Sequence, residues 1–352
     1  SIAFLRSAEE SLPPDRFLSL SGITYDPGDL KELEQIFGDS LSTQAIYDLI
    51  IATKQKEVLF FNLPMIYQLF SIDGYDGGIL PLRRFVTFQR LFLPEENLSI
   101  DGRLREKLKF VPVNRLLSLT NTRWIITDKQ FDAWIDGIFY DLQFPAYLAP
   151  QQAVTTAAIP RFEATAIGMV SHLEGGADLS DGTPVAEVTV YYTAGPPDVF
   201  VLQAGKDTAE GSYRESNDIA HQQATVGVTW PYEQAGVDYI TVKPLSTLQK
   251  IVSLQVKSLL PAGQFVLRGL SLINEPTATS RSIILSTEGD YRQVHSGDVK
   301  IYENDAVLPR AFVVHQAEIV PDEDAAIAHM KSPTFNPAIT LVKIAAAGEM
   351  LG

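Results

Sequence analysis

The spacing of hydrophobic residues in this 352-residue chain changes twice, and this change constrains the fold more than any other feature. Up to about residue 155 the apolar residues recur at helical spacing, with short apolar runs between them. From about residue 160 to 289 they alternate with polar residues at every second position. Helical spacing indicates amphipathic helices, and strict alternation is typical of half-buried β-strands. The mixed pattern returns after about residue 290, so the sequence predicts two kinds of domain.

The alternating region predicts an antiparallel β-sandwich. The region contains seven or more short strand-like segments, and turn residues such as Asp181-Gly182 separate them. The clearest segments are 188–192, 226–230 and 252–256. We therefore expect a jelly-roll, galactose-binding-like β-sandwich over residues 156–289.

The flanking regions predict an α/β domain that is built from two separate chain segments. Residues 1–155 carry helical patterns and two short buried strands, at 58–61 and 124–126. The elements expected in residues 290–352 are strands at 299–302, 311–314 and 339–344 and a helix capped near Asp322. These elements are too few to fold alone. The economical solution is one discontinuous α/β domain, with the sandwich inserted between its two segments.

Charge and composition exclude several classes of function. The chain has 28 Lys and Arg against 43 Asp and Glu, so its formal net charge is −15 and no nucleic-acid partner is expected. The absence of cysteine excludes disulfides, thiol nucleophiles and Cys-ligated metal centres. The five histidines share no metal-ligand spacing, so no metal and no cofactor are expected. No stretch of the sequence is apolar over the roughly 18 residues that a membrane span needs.

Two loops of the sandwich region carry pairs of carboxylates. Asp207 with Glu210, or Asp178 with Asp181, offer the acid and the base that a glycosidase needs. In the alternative interpretation each pair is turn chemistry, in which the carboxylates accept hydrogen bonds from nearby backbone amides. Because no nucleophile elbow and no phosphate loop occur either, no catalytic residue is predicted.

Aromatic residues give the clearest indication of a ligand. Trp230-Pro231-Tyr232 leaves a predicted strand at a proline. The alternation places Trp230 on the inward face, whereas Tyr232 is free to stack on a sugar ring. The predicted ligand-binding residues are therefore Tyr232, Asp207 and Glu210, the two carboxylates accepting hydrogen bonds from sugar hydroxyls.

A second candidate site follows the glycine-rich turn at residues 73–78. Arg83 and Arg84 come after this turn and are suited to hold a phosphate group in a bidentate contact. The alternative is an ion pair between these arginines and Asp73 or Asp76. The same two aspartates lack the spacing and the closing glutamate of an EF-hand, so a plain turn is favoured over a calcium site.

Several strings together resemble, in the same order, the C-terminal extracytoplasmic part of bacterial YfhO-type membrane proteins, which are similar to GT-C glycosyltransferases. The strings with this likeness lie at residues 71–77, 116–126, 301–304 and 308–312. The strings at residues 181–185 and 202–210 resemble a sandwich that is inserted in some members of that group. The order of the strings, more than any one of them, makes the resemblance specific.

The resemblance implies an accessory domain without an active site of its own, because the acidic catalytic residue of GT-C enzymes lies between membrane helices. Its expected partners are the transmembrane part of the same polypeptide and a glycan or lipid-linked sugar, at the extracytoplasmic face of the bacterial cell membrane. The chain starts Ser-Ile-Ala without Met, which we interpret as an excised piece of such a protein. The alternative is a free-standing carbohydrate-active enzyme that uses the sandwich carboxylates.

Overall fold

The structure, a computed structural model, describes residues 1–8, 14–21, 27–60, 62–74, 82–98, 104–108, 110–213, 218–230 and 236–345. The described residues are mostly β, with nineteen strands and few helices. They form two compact units, the first from residues 1–130 and 291–352 and the second from residues 131–290. The second unit is thus inserted between the two segments of the first. Its boundary lies at residue 131 rather than 156, because the strands of residues 131–155 pair within the second unit.

Seven α-helices occur among the described residues, all in the first unit. They are α1 (Ile2–Ser7), α2 (Pro27–Phe37), α3 (Thr43–Glu57), α4 (Leu63–Ile66), α5 (Arg83–Gln89), α6 (Asn114–Leu119) and α7 (Glu323–Lys331). Side-chain caps define two of the starts: Ser42 accepts a hydrogen bond from the Ala45 amide at 3.2 Å, and Asp322 accepts one from the Ala325 amide at 2.8 Å. The cap predicted at Asp322 is therefore confirmed.

The strands divide into five sheets. In chain order they are β1 (Arg16–Ser19), β2 (Phe70–Ser71), β3 (Thr122–Thr127), β4 (Asp132–Ile135), β5 (Ile138–Asp141), β6 (Ala146–Leu148), β7 (Ala153–Thr156), β8 (Ala166–Glu174), β9 (Pro184–Tyr192), β10 (Asp198–Gln203), β11 (Val226–Thr229), β12 (Val237–Pro244), β13 (Ile251–Ser258), β14 (Gln264–Asn274), β15 (Thr279–Ile283), β16 (Tyr291–Ser296), β17 (Lys300–Asn304), β18 (Gln316–Val320) and β19 (Thr340–Ile344).

The first unit contains a five-stranded sheet in the order β16-β17-β3-β1-β2. Strand β1 runs parallel to both β2 and β3, whereas β17 runs antiparallel to β3 and to β16. Since β17 comes after the insertion, the second chain segment returns to the sheet of the first. The core on this sheet contains Phe17, Trp124, Ile126 and Ile301.

Two of the strand predictions for the first unit are wrong. Residues 58–60 form a turn after α3, in which Val58 and Leu59 are fully buried and Leu59 has a φ of 51°. A buried turn carries the same short apolar run as a buried strand, so the pattern could not separate them. Residues 311–314 are also not a strand; β18 starts at Gln316, and Val313 is 80% exposed.

The second unit contains two antiparallel sheets that enclose one core. One sheet has the order β10-β9-β13-β7, and the other has the order β11-β12-β8-β14-β15, with β6 also paired to β14. Side chains of both sheets meet in a single cluster, as in a β-sandwich. Typical members are Ile167, Met169, Val188, Leu254 and Leu270. The prediction of an antiparallel β region is confirmed.

The outer face of the larger sheet carries a second, smaller core. The β4–β5 hairpin lies on it, and Tyr140 packs there with Val170 and Ile240. The hairpin turns at Asp136-Gly137, where both residues have positive φ, as a two-residue turn of this kind requires. Both faces of β8 are therefore covered, and this explains why its residues show no simple alternation of apolar and polar side chains.

Candidate functional site

Beside this smaller core, charged side chains from three neighbouring strands meet on the outer face of the larger sheet. His172 lies near the end of β8 and Asp238 near the start of β12, and the antiparallel register of the two strands brings these residues together. Arg268 lies in β14 where the register to β8 shifts. Such a bulge redirects a side chain out of the regular alternation. The backbone thus places a histidine, an aspartate and an arginine at one point of the sheet.

Asp238 is the centre of this group, which we call the His172 cluster: His172, Glu174, Trp230, Asp238 and Arg268. The Asp238 carboxylate lies 2.5 Å from His172 Nδ1 and accepts a hydrogen bond from Trp230 Nε1 at 2.6 Å. Arg268 Nε lies 3.6 Å from the same carboxylate, and its guanidinium stacks on Trp230 at 4.9 Å from the ring centroid. On the other side of the imidazole, Glu174 lies 3.4 Å from His172 Nε2.

The electrostatics of the cluster favour charged side chains throughout. Burial alone would lower the pKa of His172, but the hydrogen bonds to Asp238 and Glu174 outweigh it and raise the pKa to about 9. Burial would raise the pKa of Asp238, yet the bond to His172 and the charges of His172 and Arg268 lower it. The bond to His172 also lowers the pKa of Glu174. At neutral pH the cluster therefore holds two cations and two anions.

The cluster is closed at its centre and open at its rim. The Asp238 side chain is 1% exposed and that of His172 14%, whereas the Glu174 side chain is 49% exposed. Trp230 is half-buried, and its ring packs on Phe131 at 5.9 Å between centroids. Trp230 thus belongs to the outer core and not, as predicted, to the sandwich core. An indole and a carboxylate at the rim are groups that can contact a sugar.

The predicted ligand residue Asp207 is buried. Its carboxylate accepts hydrogen bonds from the Gln203 amide at 2.9 Å, from Thr241 Oγ1 at 3.1 Å and from Lys243 Nζ at 2.5 Å. These bonds hold the loop after β10 against β12. The interpretation of Asp207 as turn chemistry agrees with this geometry, and the expectation of an exposed carboxylate does not.

Glu210 is also buried, and it closes the loop that follows β8. Its carboxylate accepts hydrogen bonds from the Gly176 amide at 2.7 Å and from the Gly175 amide at 3.3 Å. The backbone amide of Glu210 donates to His221 Nε2 at 3.0 Å. Asp181 of the other predicted pair accepts a bond from the Gln222 amide at 2.6 Å. These carboxylates thus organise loops, while Tyr232 lies outside the described residues.

The structure separates the residues of the second predicted site. The Asp73 side chain is 5% exposed and binds Arg105 Nε at 2.8 Å, so its partner is a buried arginine other than Arg83 and Arg84. Arg83 lies 3.3 Å from Glu323 instead, with 87% of its side chain exposed. Arg84 is exposed, and Asp76 lies outside the described residues.

Sequence reasoning missed the His172 cluster, although two signals for it exist. His172 and Glu174 stand two residues apart in a strand, so both point to one face. Asp238 interrupts the apolar start of β12, and a charge in such a position needs a partner. What the sequence does not contain is the register that joins β8, β12 and β14.

Comparisons with known proteins do not identify a family for this chain. Neither a scan of protein-family models nor searches of curated proteins and of solved structures found a match. Over the ranges that the structure describes, no group of three or more His, Asp or Glu side chains is arranged to hold a metal ion. The helices within those same ranges include none with the length and apolar character of a membrane span. The candidate site therefore rests on its own geometry.

Proposed function

We propose that the chain is a non-catalytic extracytoplasmic domain of a YfhO-type, glycosyltransferase-like membrane protein, and that its second unit binds a glycan or the sugar of a lipid-linked carrier. In this proposal the second unit is a jelly roll of the galactose-binding type, and the first unit is an α/β domain. The observation that carries the proposal is the half-buried Trp230 ring, held by Arg268 and Asp238 at the rim of the His172 cluster.

A saccharide matches the chemistry of this rim. Sugars have apolar C–H faces that pack on aromatic rings, and hydroxyl groups that bind carboxylates. Trp230 is fixed by its bond to Asp238 and by the stacked Arg268, so little ring motion is lost on binding. Glu174 adds an exposed acceptor nearby. Tyr232, two residues after Trp230, stays a candidate for a second ring.

The protonation states of the cluster favour binding over catalysis. A glycosidase needs one carboxylic acid that keeps its proton, which requires a raised pKa. The pKa values of Asp238 and Glu174 are instead lowered. His172 holds its proton at neutral pH, because its pKa is about 9, and so it is a poor general base. The cluster is therefore suited to orient a ligand.

The alternative of a free-standing carbohydrate-active enzyme has less support. It relies on Asp207 and Glu210, or on Asp178 and Asp181, as acid and base. Asp207 and Glu210 are buried and bind the chain's own amides, and Asp181 binds the Gln222 amide. A carboxylate that already holds a loop together cannot move to a substrate without breaking those bonds.

The binding half of the proposal is tested by NMR titration of the full chain with neutral oligosaccharides. We expect a dissociation constant of about 1 mM, typical of one stacking ring and a few hydrogen bonds. Trp230→Ala should remove the shifts. Trp134→Ala is the matched control, because Trp134 is 72% exposed on the β4–β5 hairpin of the same unit. Unchanged shifts in Trp230→Ala, or none at tens of millimolar sugar, would remove the proposed site.

The membrane-protein half is tested by the gene. An open reading frame that encodes many hydrophobic spans joined to this chain supports it. A reading frame with only a signal peptide before Ser1 would contradict it and favour the enzyme alternative.

A further inference from the structure

We propose that Arg16 and Arg310 of the first unit form a binding site for a phosphate or diphosphate group. The choice of this anion rests on the proposed function, because a lipid-linked sugar carries its sugar on such a group. The site lies in a different unit from the His172 cluster and uses different residues. It is also separate from the phosphate site that the sequence indicated at Arg83 and Arg84.

The two arginines meet at one end of the five-stranded sheet. Arg16 begins β1, and the parallel register sets it opposite Phe70 of β2. Arg310 follows β17, and its guanidinium lies 4.2 Å from the centroid of the Phe70 ring. Both side chains are partly buried. The Phe70 ring thus contacts the Arg310 guanidinium, and Arg16 stands opposite Phe70 on the neighbouring strand.

Neutral oxygen atoms hold both guanidinium groups in place. Arg16 Nη1 donates to the Thr120 carbonyl at 2.9 Å, and Arg310 Nε donates to Asn121 Oδ1 at 3.2 Å. Arg310 Nη2 donates to the Pro14 carbonyl. Within the described part of the chain, neither arginine forms an ion pair. Their positive charges are oriented without being neutralised.

Asp15, which precedes Arg16 in the sequence, binds partners other than the two arginines. Asp15 lies 3.1 Å from Arg123 Nη1 and accepts a hydrogen bond from Asn121 Nδ2 at 2.8 Å. Arg123 also binds Glu303 at 2.9 Å. Asp15 thus pairs with Arg123, and Glu303 pairs with Arg123 and Arg292.

This arrangement favours an anion for physical reasons. Burial, and then the charge of nearby Arg310, lower the pKa of Arg16, which shows that the two cations repel each other. An anion placed between them would remove this repulsion. The N–H groups of a guanidinium that are not bound to the chain can form paired hydrogen bonds with phosphate oxygens. Because the Thr120 carbonyl holds Arg16, and the Pro14 carbonyl and the Phe70 ring hold Arg310, little ordering is needed.

Calorimetric titration of the full chain with inorganic pyrophosphate at low salt tests this site. We expect saturable binding that weakens as NaCl is added. Arg310→Gln and Arg16→Gln should each weaken it at least about tenfold, since each removes charge-assisted hydrogen bonds. Arg310→Lys keeps the charge but loses the paired geometry, and we expect an intermediate loss. Arg83→Gln removes the same charge from an exposed position and should leave binding unchanged.

The titration compares the arginine pair with Arg83, and each outcome either supports or overturns the proposed site. Equal losses in Arg83→Gln and Arg310→Gln would indicate attraction by overall charge and would overturn the proposal, as would the absence of binding to a chain with native circular dichroism. A prenyl diphosphate probe in the same titration identifies the source of the anion: tighter binding than pyrophosphate indicates a lipid carrier, and equal binding indicates the phosphate groups alone. Failure of glycan binding to the second unit would not change the pyrophosphate titration, so failure of one proposal can be distinguished from failure of the other.

Discussion

The His172 cluster of the second unit and the arginine pair of the first unit hold their charges in opposite ways. In the cluster, Asp238 and Glu174 face His172 and Arg268, so the charges balance within a few ångströms. In the pair, Arg16 and Arg310 bind carbonyl and amide oxygens, which carry no net charge. The charges of the cluster neutralise one another, whereas the partners of the two arginines leave their positive charges unneutralised.

This difference indicates which of the two sites needs a ligand to balance its charges. Removing one member of a balanced buried group leaves the others without a partner, which costs stability. Removing one of two like charges relieves repulsion, so its stability cost should be small and its effect should appear in anion binding. The two regions are therefore distinguished by the quantity that a substitution changes.

Asp238→Ala should have the largest effect on stability. It removes the carboxylate that binds both His172 and Trp230, and leaves the charge of Arg268 without its partner. We expect a loss of about 3–5 kcal/mol in the free energy of unfolding of the second unit. Hydrogen exchange of the β8 and β12 amides measures this unit separately from the first.

Asp178→Ala is the matched control for this substitution, because Asp178 is an exposed aspartate of the same unit. Its effect should stay within about 0.5 kcal/mol. If the two substitutions had equal effects, the cluster would not be the balanced buried group that the distances indicate.

The second prediction concerns how the stability of the second unit depends on pH, and it also follows from the contact between His172 and Asp238. The pKa of His172 is raised from 6.5 to about 9, so the folded second unit binds this proton more tightly than the unfolded chain does. The stabilisation is complete below pH 6.5 and is lost as pH rises to about 9, a change of about 3 kcal/mol. His172→Gln should remove this pH dependence. A second unit whose stability is the same at pH 6 and pH 9 would contradict the raised pKa.

The sequence predicts a strand or helix correctly where one face of that element is buried and the other faces solvent. Strands β9, β11 and β13 and the helix cap at Asp322 follow from alternation and capping rules. Strand β8 was not found, because the hairpin and the sandwich core cover its two faces. Alternation requires a polar face, so a central strand covered on both sides does not show it.

The sites were less predictable than the fold, because they depend on pairings across the sequence. Asp207 was identified from its loop, but whether its carboxylate faces solvent or Lys243 depends on how β12 lies against that loop. Arg310 lies in the string at residues 308–312 that resembles YfhO-type proteins, and nothing in the sequence alone connects it with an anion. Arg16 and Phe70 lie more than two hundred residues before it. The parallel register of β1 and β2 sets those two residues opposite each other, and Arg310 reaches them through its contact with the Phe70 ring.

The third prediction tests how the arginine pair is held. Asn121 has a φ of 57° and is buried, and its amide group binds Asp15, the Leu308 carbonyl and Arg310. Asn121→Gly keeps the backbone conformation but removes these bonds, so we expect a loss of about 1–3 kcal/mol in the stability of the first unit. Pyrophosphate binding should weaken as well, because Arg310 loses an anchor. Full binding in this variant would mean that Asn121 does not position Arg310.

The smallest effect is expected for Arg83→Gln. Arg83 and Glu323 lie 3.3 Å apart, but 87% of the arginine side chain is exposed, and water and salt screen such a pair. We expect a change of less than about 0.5 kcal/mol in the free energy of unfolding, measured by urea denaturation with and without 0.5 M NaCl. The buried Arg105–Asp73 pair provides the contrast, since its members are 1% and 5% exposed and Arg105→Gln should cost several times more. A large effect of Arg83→Gln that salt does not reduce would show that this arginine is more than a solvated charge.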